Sequence, residues 1–144
     1  MTTYYGSPGV ARLAADLRRV PTELRSTIRS ALNTSGSELR DLAAANAAQW
    51  SMTIPNALKV RTRFGGTRPG VYVVASRLAA PAARPYEGIT GNDQFRAPLF
   101  GDLAHWYPHD TRPYLAPAVE AESDQAINRM QAALDASLLA AGFK

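Results

Sequence analysis

Cysteine is missing from this chain of 144 residues, which excludes disulfide bridges, thiolate metal sites and thiol nucleophiles. Lysine is nearly missing too. Only Lys59 and Lys144 occur, so arginine carries almost all the positive charge, as the codon usage of a GC-rich genome would also give. Histidine is limited to His105 and His109. No stretch approaches the roughly 18 consecutive apolar residues of a membrane helix. Met1 to Gly9 has no basic residue ahead of an apolar run, so a secretory signal is not expected. The composition points to a soluble chain, intracellular at synthesis. With 46% hydrophobic and 19% charged residues it is too apolar for disorder and suits one domain with a modest core. A net charge of +4 favours acidic partners, nucleic acid among them.

There is no internal repeat, and the chain reads as a single α+β domain in four parts. Residues 10–50 are expected to be helical. Leu13 and Leu17 mark a short helix from Val10 to Val20, which Pro21 interrupts. A longer helix follows from Thr22 to Trp50, where Leu24, Ile28, Leu32, Ser35, Leu39 and Leu42 keep the 3.6-residue period. Arg25, Arg29 and Arg40 flank that stripe, and Gly36 within it marks a bend or a close contact. Pro55 and Asn56 should end the helical region. Residues 57–76 form a β-hairpin, in which Leu58, Val60, Thr62 and Phe64 alternate with Lys59, Arg61 and Arg63. A turn from Gly65 to Gly70, including Arg68, leads to the returning strand, Val71 to Ser76.

Residues 79–113 hold five prolines and three glycines, which rules out long regular elements. Short strands or an extended arm fit best. Rings concentrate here, at Tyr86, Phe95, Phe100, Trp106 and Tyr107, with Tyr114 just beyond. They need something to pack against, either the hairpin or a neighbouring subunit. Residues 116–141 form the last helix, with Pro117 in its first turn and Gly142 at its end. Val119, Ile127, Met130, Leu134 and Leu138 give its apolar period. Glu120, Glu122 and Asp124 suit its positive N-terminal end.

Chemistry of catalysis finds little footing, and neither a catalytic residue nor a cofactor is expected. His105 and His109, flanked by Asp102 and Asp110, would resemble a metal face on a helix, but Pro108 argues against a helix and no third ligand is evident. No metal site follows. Gly65-Gly66 and Gly88 lack the lysine and helix start of a phosphate loop. The basic strand is more informative, because Lys59, Arg61 and Arg63 share one face. That face is a solvated sheet surface, a contact for DNA phosphates independent of base sequence, or a partner for an acidic patch such as Glu120, Glu122 and Asp124.

Four pieces occur in a telling order: Arg84-Pro85-Tyr86-Glu87-Gly88, then Phe95 to Asp102, then Trp106, then Arg112-Pro113-Tyr114-Leu115-Ala116-Pro117-Ala118. With the long helix and hairpin before them, they resemble the tail-completion or neck family of siphophages typified by gene product ten of a lambdoid coliphage. The resemblance runs from Leu13 to Leu139. It departs from the family's pattern at Gly88-Ile89-Thr90-Gly91, where the family has Gly-Thr after the glutamate.

The resemblance implies a small α+β protein, without enzymatic activity, that assembles as a homo-oligomeric ring at the head–tail junction. The ring would be a hexamer or a dodecamer. Its partners would be adjoining neck and tail-tube proteins, with double-stranded DNA passing through the lumen. Such a protein resides in the virion, after assembly in the host cytoplasm. Lys59, Arg61, Arg63 and Arg68 are the candidates for the lumen. Tyr86, Glu87, Phe100, Trp106, Tyr114, Glu120 and Glu122 are the candidates for subunit interfaces. The near alternative is a head-side adaptor or stopper of the same connector, and the distant one a small nucleic-acid-binding module.

Overall fold

The computed structural model describes residues 22–63, 67–68, 70–88, 93–140 and 142. The expected helix from Val10 to Val20, Phe64, part of the expected turn from Gly65 to Gly70, and residues 89–92 lie outside them. The fold is α+β. Helix α1 spans Thr22–Ala48, and a short helix α2, Thr53–Ala57, leads directly into strand β1, Leu58–Arg63. Strand β2, Gly70–Ala75, returns antiparallel with Leu58 opposite Ala75 and Arg63 opposite Gly70. Helix α3 is Ala83–Glu87. Strands β3, Gln94–Pro98, and β4, Trp106–Asp110, form a second antiparallel pair, separated by a 3₁₀ turn at Leu99–Gly101. Helix α4, Leu115–Ala140, packs along α1.

The sequence expected helix to stop at Pro55 and Asn56, yet both lie inside α2. The Ile54 N–H donates to Ser51 Oγ at 3.2 Å, a local cap. Pro55 then sits in the first turn, where its missing N–H breaks no helical bond.

Gly36 is a close contact, not a bend. A Cβ there would lie 2.5 Å from Val71 Cγ1 and 2.7 Å from Val60 Cγ1, so the hairpin rests directly on the α1 backbone. Leu58, Val60 and Thr62 point inward as their alternation required, and Thr62 Oγ1 donates to Asn33 Oδ1 at 2.6 Å.

Two apolar clusters result. Ile28, Leu32 and Met130 close one end of the α1–α4 seam, joined by Leu24, Val71 and Leu134. The larger cluster gathers Ala43, Ala47, Ile54, Leu58, Val73, Tyr114, Leu115 and Ala118 around the joint between the helices and the hairpin. The expected stripes drift at their ends. Leu42 is exposed while Ala43 and Ala47 are buried; on α4, Ile127 and Leu138 lie at the margin while Ala118 is buried. Towards the ends of the stripes small alanines take the closest contacts, while Ile28, Leu32 and Met130 hold the buried face between them.

Candidate functional site

Three surfaces come from the sequence candidates: a buried joint, a basic strand and a projecting arm. The joint is built by the two motif pieces at 84–88 and 112–118. Gly88, at φ 77, ends α3 in a left-handed conformation that glycine adopts without strain. That termination leaves Glu87 buried against the start of α4. Its Oε2 accepts the backbone N–H groups of Tyr114 and Leu115, both at 2.9 Å, and its Oε1 accepts that of Ala116 at 2.8 Å. One carboxylate from elsewhere in the chain therefore satisfies three donors at a helix N-terminus, where the helix dipole also favours negative charge.

The Tyr114 side chain locks the same joint. It is fully buried, and its hydroxyl donates to the Ala83 carbonyl at 3.2 Å while its own carbonyl accepts from Asn46 Nδ2 at 3.2 Å. Burial, with the Glu87 charge beside it, holds the phenol well above the ordinary tyrosine range. Around it the rings run in sequence. Trp50 meets Tyr114 at 6.2 Å and Tyr86 at 4.8 Å, Tyr86 meets Phe95 at 4.9 Å edge-on, and Phe95 stacks on His109 at 5.5 Å. The Arg112 guanidinium lies 5.9 Å from the Trp50 ring, and the Arg112 N–H donates to the Tyr86 carbonyl at 2.8 Å.

These positions correct part of the interface expectation. Glu87 and Tyr114 are taken up within the chain as the cap and plug of α4, and Tyr86 is half-buried in the ring ladder. Glu122 is also buried, for a different reason: residues two apart do not share a helix face. It turns into the α1–α4 seam while Glu120 and Asp124 face solvent, so the expected acidic cluster is split. In the seam, Arg129 contacts Glu122 at 3.4 Å, Glu38 at 2.6 Å and Ser35 Oγ at 2.9 Å. Burial is the main force raising Glu122 above the ordinary carboxylate range, and its hydrogen bond with Glu38 adds to it. The same hydrogen bond, then Arg129, lowers Glu38. The ion-paired seam was missed in the sequence, though Glu122 and Arg129 are seven apart and hence on one face.

The basic strand is placed as its alternation implied. Lys59, Arg61 and Arg63 are all exposed on one face of β1, opposite Val74, Tyr72 and Gly70. Arg68 is exposed in the connecting turn, and its carbonyl accepts the Tyr72 hydroxyl. On the other side of β1 lies an open polar groove of about 510 Å³, lined by Arg29, Asn33, Ser37, Val60 and Thr62.

The arm is the segment from Asp93 to Thr111. The Thr111 N–H donates to the Asp93 carbonyl at 2.8 Å at its base, and Arg96 Nη2 donates to the Trp106 carbonyl at 2.9 Å along its length. At its tip the Asp102 carboxylate accepts the Ala104 N–H at 3.0 Å and contacts His105 Nδ1 at 2.8 Å, while Trp106 Nε1 donates to the Leu103 carbonyl at 3.0 Å. Phe100 there is fully exposed at φ 52, and Leu99, Leu103, Trp106 and Tyr107 are exposed beside it. Phe100 and Trp106 thus remain open to a partner. Histidines 105 and 109 diverge, one to the tip turn and one to the Phe95 ring. Among the described residues no three His, Asp or Glu side chains gather as a metal site, and no helix is long and apolar enough to cross a membrane.

The fold is α+β, with one basic strand face and one apolar-tipped arm. Compared with protein families, with curated proteins and with solved structures, the chain matches none.

Proposed function

We propose that this chain is a ring-forming structural component of the head–tail junction of a long-tailed bacteriophage, of tail-completion or terminator type. The observation that carries the reading is the joint at Glu87. Two of the four pieces on which the resemblance rests, 84–88 and 112–118, meet through three hydrogen bonds and act as one structural unit. The arm leaves from that joint, tied to it by the Tyr86–Phe95 ring contact and the Arg112 N–H on the Tyr86 carbonyl, and a ring subunit needs a projection towards its neighbour. In this reading the protein catalyses nothing. It closes a channel, and the face of Lys59, Arg61 and Arg63 lies towards the passing DNA.

The same face supports a second reading, a small module that binds nucleic acid by itself. Native mass measurement and electron microscopy of the purified protein separate the two. The neck reading expects closed rings that bind free duplex weakly. A monomer that binds duplex DNA tightly, with affinity falling steeply as salt rises, overturns it.

A further inference from the structure

The arm tip has a counterpart elsewhere on the subunit. Between the end of β2 and α3 lies a pocket of about 220 Å³ whose lining includes Ala75, Ala80, Pro81, Ala83 and Pro85. Arg77 and Arg84 also line it, and both are exposed. Among the described residues neither guanidinium takes part in an ion pair. An apolar cavity of about 150 Å³ already holds a benzene ring, so this pocket has room for a phenyl side chain. The subunit's own tip does not reach it. Phe100 is fully exposed, and the five residues of β3 carry it roughly 15 Å from the base of the arm.

We propose that Phe100 of one copy inserts into this alanine–proline pocket of the next copy, with Asp102 of the incoming tip facing Arg77 and Arg84. The chemistry matches on both counts: a ring for an apolar floor, and an exposed carboxylate behind that ring for two guanidiniums. The tip is preorganised, since Asp102 is fixed by Ala104 and His105 and the chain turns through a left-handed Phe100. Donor and acceptor lie at different places on the subunit, so the contact is heterologous and gives a ring when its rotation closes. The inference rests on the ring reading above and names the contact that would build it.

The absence of cysteine makes a direct test clean. Leu103→Cys protein, which keeps the Phe100 ring and places the thiol at the exposed tip, and isotopically labelled Pro81→Cys protein are mixed and oxidised mildly, and the cross-linked species are weighed. The pairing of labelled with unlabelled chains is expected to exceed either self-pair several-fold; a statistical mixture overturns the insertion. In parallel, Phe100→Gly, which suits the left-handed backbone of the tip, is expected to keep the wild-type circular dichroism and to lower the association constant at least tenfold. Undiminished rings from Phe100→Gly sink the insertion and leave the neck reading standing. A wild-type chain that stays monomeric at every concentration sinks both.

Discussion

Glu87 is the residue on which most of the joint depends, because its removal leaves three backbone donors at a buried helix start without an acceptor. A capping interaction is ordinarily worth about 1 kcal/mol, and hydrogen bonds to a charged group about 1.5–3. Glu87→Ala is therefore expected to destabilise the subunit by about 3 kcal/mol or more in urea unfolding. Glu87→Gln turns an amide donor towards one of those N–H groups and should cost about half as much. Phe100 gives the opposite sign. A non-glycine residue in the left-handed region costs roughly 1–2 kcal/mol, part of which Phe100→Gly recovers, so its monomer should unfold at an equal or higher urea concentration than the wild type. At this scale the sequence singled out Glu87, Tyr114 and Phe100 alike as interface candidates. It could not tell a glutamate that caps a helix from one that faces a neighbour, because the cap joins residues 27 to 29 positions apart.

The two long helices and the first hairpin were legible because one face is apolar and the other charged. Strand β1 followed its alternation residue by residue, and α1 ends within two residues of its expected limit. The polar part of the α1–α4 seam was less legible, since its ion-paired triad interrupts the apolar rows that the sequence shows. The contact of Gly36 with the hairpin was not settled by the sequence either. Alanine is the better helix former by about 1 kcal/mol, yet Gly36→Ala would push a methyl into Val60 and Val71. Overpacking of this kind typically costs about 1–3 kcal/mol, so a net loss of stability in thermal unfolding is expected. The triad predicts a pH dependence. Glu122, raised in the fold, contributes stability that is complete below its ordinary value of 4.5 and is lost as pH rises through its folded value. Glu38, lowered in the fold, contributes stability present above 4.5 and lost as pH falls through its folded value. The two overlap around pH 4.5, where the pair holds one proton between the carboxyls. Glu122→Gln keeps a donor for Glu38 without the charge. It should be more stable than the wild type near pH 8, with the difference shrinking towards pH 4 in urea unfolding.

For the whole molecule, the α+β class and the order of its parts were readable because periods of 3.6 and 2 alternate cleanly along the chain. The division of the proline-rich middle into a helix, a joint and a hairpin arm was not. Prolines there only forbid long elements, and the pairing of β3 with β4 is decided by turn geometry around Asp102. The basic face and the arm tip are the surfaces left for partners after the joint and the seam are closed within the subunit. A reconstruction of the purified assembly by electron cryomicroscopy tests the account most directly. It predicts a closed ring of six or twelve copies, with Lys59, Arg61 and Arg63 of every copy facing the central channel. A ring with those three side chains on its outer rim, or a chain that forms no ring, would contradict it.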